Sequence, residues 1–138
     1  MDSSNMHPAG QARIIGEADD SAGPGPQILS ASALRHDDIY NLADEKLGTI
    51  HDIMIDVVRG RVAYAVLSRG GILGIGDKLF AIPWGALTLD AQSQCFLLNV
   101  DVQRLKDAEG FDKDHWPSMA DLSWAQQLHE YYDQPPYW

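Results

Sequence analysis

The sequence predicts an all-β (mainly β) fold, and two observations in its middle third carry that prediction: short apolar segments and the tight turn signals between them. Short apolar segments between residues 47 and 84 alternate with two tight turn signals, Arg59-Gly60 and Gly70-Gly71. In such a run each strand turns back on the strand before it, which makes a β-meander. The run therefore favours a small β core over a Rossmann unit or a helical bundle.

The predicted organisation is one domain between two terminal segments, since 138 residues fit a single domain with tails. Residues 1–27 are rich in Gly, Pro, Ala, Ser and Asp, so they bury too little to offset chain entropy and are predicted to be disordered or extended. Residues 28–117 form the predicted domain. Residues 118–138 form a predicted helix followed by an extended aromatic tail.

Within the domain, alternation of apolar and polar residues predicts the strands. The second of them places Ile53, Ile55 and Val57 on one face. The third is apolar on both faces, as expected for the central strand of a covered sheet. The predicted strands are residues 39–41, 48–57, 61–68, 78–83, 87–89 and 96–100.

Two short helices are predicted after the strands. Residues 102–108 are predicted to form a short helical turn. Ser118 followed by Asp121 resembles a capping box, which would begin a second helix that runs to about Tyr131. The chain then continues into the aromatic tail, which ends in Tyr137 and Trp138.

Charge and composition exclude several classes of function. The net charge is −10, from 20 acidic and 10 basic residues, and the basic residues are scattered, so binding to nucleic acid or to anionic lipid is not expected. The single cysteine, Cys95, excludes a disulfide within the chain. No segment approaches the ~20 apolar residues that insertion into a membrane requires, and the N-terminus has no apolar signal region. We expect a cytoplasmic protein.

Four patterns, in this order, resemble the PRC-barrel family, which is named for the cytoplasmic part of the photosynthetic reaction-centre H subunit. The resemblance spans about residues 28–138 and is strongest to stand-alone bacterial members. The patterns are Leu47-Gly48-x-Ile50-x-Asp52-x-x-x-Asp56, Gly60-Arg61-Val62-x-Tyr64, Gly74-x-Gly76 and Ile82-Pro83-Trp84.

The resemblance implies a small, roughly six-stranded, antiparallel PRC-type barrel with no enzyme activity. It implies a module for assembly or docking, in which the residues of the family pattern have a structural role. His36 and Asp44 stand where the family pattern favours glycine, which concerns the geometry of two turns. The implied structural positions are Gly48, Asp52, Asp56, Gly60, Gly74, Gly76, Pro83 and Trp84.

No catalytic, cofactor-binding or metal-binding residues are predicted. The loop Gly70–Gly76 is followed by a strand and lacks the helix or the Gly-Lys-Ser/Thr that a phosphate loop needs. Asp52 and Asp56 lie ~13 Å apart on one strand, too far for shared chemistry, so Asp52 is interpreted as a cap of a neighbouring turn and Asp56 as the start of the next one. The histidines lack the spacing of a ligand pair.

The candidate partner interface is the aromatic stripe of the C-terminal segment: Trp124, Leu128, Tyr131, Tyr137 and Trp138. Two interpretations stay open, because the helix and tail either lie back on their own barrel or form a surface for self-association or another partner. The two interpretations are compatible in a dimer whose chains exchange tails.

The sequence thus favours a non-enzymatic protein-binding module, expected to form a homodimer through a barrel edge and the aromatic tail and to bind an unknown protein partner. One alternative is a small-molecule binder or weak hydrolase that uses the barrel mouth near Trp84 and the Gly70–Gly76 loop. Another, by family analogy, is an accessory to a membrane photosynthetic or electron-transfer complex.

Overall fold

The computed structural model describes residues 9–16, 28–70 and 77–138. Within them the chain forms seven strands, three α-helices and a short 3₁₀ turn at Trp84–Ala86. The elements are β1 (Arg13–Ile15), α1 (Ala31–Leu34), β2 (Asp38–Tyr40), β3 (Lys46–Asp56), β4 (Arg61–Arg69), β5 (Lys78–Pro83), β6 (Leu87–Asp90), β7 (Cys95–Leu98), α2 (Val102–Asp107) and α3 (Leu122–Tyr131).

The strands form one open, mixed sheet in the order β1-β6-β7-β2-β3-β4-β5. The β-rich class and the β3–β4–β5 meander are as predicted, but a six-stranded antiparallel barrel is not confirmed. Two pairings of the sheet, β1 with β6 and β2 with β7, are parallel, and no ladder between described residues joins β5 to β1. The reason is that the β6–β7 hairpin returns to the far side of β2, where β7 runs in the same direction as β2.

The first strand lies inside the segment that was predicted to be disordered or extended. Its three residues pair with Thr88, Leu89 and Asp90 of β6. Backbone hydrogen bonds to a strand that is already ordered offset part of the entropy cost of fixing so short a segment. The sheet therefore extends beyond the domain boundary predicted at residue 28.

Two irregularities interrupt the pairing of β3 with β4. The register shifts between Ile50 and Asp52, where His51 is the extra residue, and again between Met54 and Ile55, opposite Ala63. Each extra residue moves the following side chains to the other face of the sheet. The prediction that Val57 shares a strand face with Ile53 and Ile55 is wrong, because β3 ends at Asp56 and Val57 lies in the turn.

Strand β4 is covered on both faces, as predicted for a central strand. On one face Ala65 and Leu67 pack into the main hydrophobic cluster. On the other face Tyr64 meets the rings of Trp124 and His129 on α3. The buried members of the main cluster are Ile39, Leu47, Ile50, Ala65, Leu67, Phe80, Ile82, Leu87, Phe96, Leu98, Leu105, Ala108 and Tyr132.

Helix α3 begins one turn later than the predicted capping box. Asp121, and not Ser118, is its N-cap, and the Asp121 carboxylate accepts hydrogen bonds from the backbone N–H groups of Ser123 and Trp124. An aspartate caps a helix as well as a serine does, and its charge also suits the positive end of the helix dipole.

The positions where glycine was expected adopt glycine-like backbone geometry. His36 has φ 70° and Asp44 has φ 63°, both in the left-handed region. Gly60 has φ 65°, and Gly48 lies so close to the backbone of Ser68 that a Cβ would overlap it. Gly74 and Gly76 fall outside the described residues.

Among the described residues, the longest helix is α3, with 10 residues. In the described parts of the chain, no helix combines the length and the apolar character that crossing a bilayer requires.

We expect Ile82→Ala to lower the free energy of unfolding by about 2–5 kcal/mol, because Ile82 is fully buried in the main cluster and its loss leaves a cavity. Leu42→Ala removes apolar groups from a side chain that is 67 % exposed in a turn outside the core and serves as the control. Its unfolding free energy should stay within about 0.5 kcal/mol of wild type. Equal losses in the two variants, measured by urea denaturation, would contradict the assignment of the core.

Candidate functional site

The C-terminal tail folds back onto its own sheet. The Tyr137 hydroxyl donates a hydrogen bond of 2.7 Å to Oδ2 of Asp56, at the end of β3. The Tyr137 ring meets the ring of Tyr64 edge-on, with 6.5 Å between centroids, and the Arg61 guanidinium lies 4.8 Å from the Tyr137 ring centroid. Three contacts of different kinds thus hold one residue of the tail against the β3–β4 hairpin.

The N-terminal segment joins the same junction. Arg61 donates from its guanidinium to the carbonyl oxygen of Gly10. Gly10 has φ 79° and packs so closely on Tyr137 and Arg61 that a Cβ would overlap both. Only glycine satisfies both the backbone angle and the space at this position.

Helix α3 contributes a buried histidine to the junction. His129 is 2 % exposed, and its Nδ1 lies 2.7 Å from the carbonyl oxygen of Ala125, so Nδ1 carries the proton in this hydrogen bond. The ring faces three aromatic side chains, Tyr64, Tyr137 and Trp138, at centroid distances of 5.7, 6.1 and 5.0 Å. Burial lowers the pKa of His129 below its ordinary value of 6.5.

The remaining members of the predicted partner interface also pack within the chain. Trp124 meets Tyr64 edge-on at 5.3 Å between centroids. Leu128 and Tyr131 pack against the main hydrophobic cluster, and the Arg104 guanidinium stacks 4.3 Å from the Tyr131 ring centroid. All five predicted interface residues are half-buried, so each uses one side for packing and leaves the other side open to solvent.

Asp56 fixes the hairpin turn, as predicted for a residue that starts a turn. Its carboxylate accepts from the backbone N–H of Arg59 at 3.0 Å and pairs with the Arg59 guanidinium at 3.1 Å. The Arg59 N–H, followed by the Tyr137 hydroxyl, lowers the pKa of Asp56 to about 2. Burial, followed by the bond to Asp56, raises the pKa of Tyr137 to about 12. Asp52 accepts instead from the N–H of Ile53 within the bulge and caps no turn.

The turn that Asp56 fixes presents large apolar side chains to solvent. Val57 is 86 % exposed and Val58 is 94 % exposed. Ile55, at the end of β3, is 57 % exposed, and Leu122, at the start of α3, is 59 % exposed. We call these four residues the hairpin patch.

A groove of about 400 Å³ runs between the hairpin turn and α3. All four hairpin-patch residues line it, and Trp138 and Met119 contribute further apolar wall. Its polar members Asp56, Arg59 and Tyr137 bond to one another, as described above. The arrangement therefore suits contact with an apolar surface.

Sequence reasoning missed the hairpin patch, because Val57 was assigned to a strand and Val58 to an ordinary turn. A signal was present in the residues. Turns favour Gly, Asn, Asp, Ser and Pro, so two adjacent β-branched apolar residues between Asp56 and Gly60 are unusual for a turn without a binding role.

The alternative site combined Trp84 with the Gly70–Gly76 loop, but the structure places Trp84 and the residues flanking this loop far apart. Trp84 packs against Phe96, with 5.8 Å between ring centroids, and lines a second cavity of about 450 Å³. Trp84 follows Pro83, which pairs with Tyr64 at one end of the β4–β5 ladder. Arg69 and Lys78, which flank the glycine loop, pair at the other end. Five residue steps along a strand separate the two ends by roughly 17 Å.

We expect the free energy of unfolding to fall as the pH drops below about 6.5, with a slope of at most about 1.4 kcal/mol per pH unit from His129. The lowered pKa means that the unfolded chain takes up the proton first, so acid favours unfolding. Urea denaturation between pH 7 and pH 5 measures the slope. His129→Gln should reduce the slope, and an unchanged slope in this variant would contradict the role assigned to His129.

Comparison with known proteins gives one finding about the family. The family model of the PRC-barrel domain matches residues 26–104, which is more than half of the chain and runs from before α1 into α2. Helix α3 and the aromatic tail lie beyond the match. No protein among those with curated descriptions matches the chain. The chain belongs to the PRC-barrel domain family.

Proposed function

We propose that this protein is a non-enzymatic protein-binding module that forms a homodimer through the hairpin patch. One observation carries the proposal: four large apolar side chains are exposed together around the turn of the β3–β4 hairpin and the adjacent start of α3. Soluble proteins seldom expose large apolar patches without an interaction role. Burying such surface gains about 25 cal/mol per Å².

The hairpin patch is rigid because the polar contacts beneath it hold its turn in place. Asp56 bonds to both Arg59 and Tyr137, so the backbone that carries Val57 and Val58 is fixed from two sides. A surface that is already ordered loses less conformational entropy when it binds. This feature supports a docking role.

The tail takes part in the proposed surface as one wall of the groove. The sequence favoured a dimer formed by a barrel edge and by the tail. With Tyr137 bound to Asp56 of the same chain, we infer that Trp138 instead presents its open side to the partner, beside Val57 and Leu122. A twofold axis through the hairpin patch would then bury the same residues on both copies.

The charge of the chain makes self-association dependent on salt. Two copies that each carry a net charge of −10 repel one another at low ionic strength. Screening shortens the range of this repulsion to about 8 Å at physiological salt. An apolar interface between these copies should therefore tighten as salt is added. An unknown protein partner and a cytoplasmic location stay predictions from the sequence.

We expect sedimentation velocity to show a concentration-dependent dimer that becomes tighter at higher salt. The double variant Val57→Ser, Val58→Ser should weaken the dimer at least tenfold, because it removes apolar side chains that nothing else in the described fold buries. Both positions lie in an exposed turn, so the fold should be kept.

Leu42→Ser is the matched control, because Leu42 is 67 % exposed in a different turn. It should dimerise like wild type. A wild-type chain that stays monomeric at every concentration, or a double variant that dimerises as tightly as wild type, would overturn the proposal.

A further inference from the structure

A second concavity, which we call the Trp84 cavity, lies on the opposite side of the β3–β4 hairpin from the tail. Its volume is about 450 Å³, within the roughly 300–1,000 Å³ that small-molecule sites span. One wall is the sheet, and the other wall consists of β1 and α1 with the residues beside them. The lining residues are Ala12, Arg13, Ile14, Leu29, Ala31, Leu34, Ile53, Ile55, Val62, Trp84, Leu89 and Phe96.

The floor of the Trp84 cavity is held in place by the core. Phe96 is 1 % exposed and belongs to the main cluster, while Ile53, Trp84 and Leu89 pack against that cluster. The tilted contact between Trp84 and Phe96 fixes the two largest rings of the floor. The floor is therefore formed before any ligand arrives, which lowers the entropy cost of binding.

The sequence that connects the two parts of the outer wall is poor in large apolar residues. Residues 17–27 join the segment of β1 to the segment of α1, and they include no Val, Ile, Leu, Met or aromatic residue. Filling an apolar cavity requires apolar groups of matching size. The described lining residues are mostly apolar and therefore favour an apolar ligand.

One charged residue, Arg13, stands among the described lining residues. The ion pairs of the described residues use Lys46, Arg59 and His115 as their cations, so no carboxylate among those residues pairs with Arg13. Arg13 is exposed, and a guanidinium beside an apolar cavity is suited to hold a planar anionic group in two parallel hydrogen bonds. The chain has a net charge of −10 and repels anions overall. The positive charge of Arg13 would attract an anion to this cavity.

We propose that the Trp84 cavity binds a small amphipathic anion, with an aliphatic or aromatic body against Trp84, Leu89 and Phe96 and an acidic head group on Arg13. The apolar lining residues favour the body of this ligand, and Arg13 favours its acidic head group. This site is separate from the hairpin patch, although Ile55 borders both concavities. The proposal therefore stands or falls independently of the homodimer.

The test uses two fluorescent probes of similar apolar size, one anionic and one neutral: anilinonaphthalene sulfonate and N-phenylnaphthylamine. Titration of the full chain with each probe gives a dissociation constant. We expect saturable binding of both probes, with the anionic probe bound more tightly. Arg13→Gln should weaken the anionic probe about tenfold and change the neutral probe by less than about twofold.

Two variants fill the Trp84 cavity from different walls: Ala12→Trp beside β1 and Ala31→Trp in α1. Each should abolish binding of both probes, and circular dichroism will show which variant keeps the fold. Val58→Ser alters the hairpin patch alone and should leave both probes bound as in wild type.

Three results would overturn the proposal: no saturable binding to wild type, wild-type binding in a folded cavity-filling variant, or loss of binding in Val58→Ser. The last of these would assign the probes to the hairpin patch. An anionic probe that binds Arg13→Gln as tightly as wild type would overturn the assignment of the head group.

Discussion

Burial of both faces of β4 is the constraint on which the rest of the structure depends. One face of this strand adds Ala65 and Leu67 to the main cluster. The other face presents Tyr64, which is 2 % exposed. Each apolar face of a sheet has to be buried against another layer of the structure. Because one face of β4 already packs into the main cluster, its other face needs a separate covering layer. Helix α3 and the tail, which lie beyond the family match, supply that layer.

The same constraint explains why the hairpin patch is exposed. The bulge at Ala63 changes which face of β4 each side chain occupies just after the hairpin turn. The tail reaches this end of the strand through Tyr137. The contacts of Tyr137 with Asp56 and Arg61 are made below the turn, so Val57 and Val58 extend beyond the covering layer. Structural polar contacts and an exposed apolar surface thus occupy adjacent positions.

Local patterns predicted the meander and the central position of β4, and the family resemblance pointed to glycine-like turns at His36 and Asp44. Neither could predict the bulges or the parallel pairing of β7 with β2, because register depends on the partner strand. The tail residue Tyr137 was predicted to belong to a partner interface, and Asp56 was predicted to start a turn. Their hydrogen bond joins positions 81 residues apart, and no local signal connects them.

The central claim is that the tail covers β4 of its own chain. The most direct test is nuclear Overhauser spectroscopy on a sample that mixes isotope-labelled chains with a tenfold excess of unlabelled chains. Cross-peaks between the rings of Tyr137 and Tyr64 should persist within the labelled chains, because both rings belong to one molecule. Cross-peaks found only between labelled and unlabelled chains would show an exchanged tail and would contradict the account.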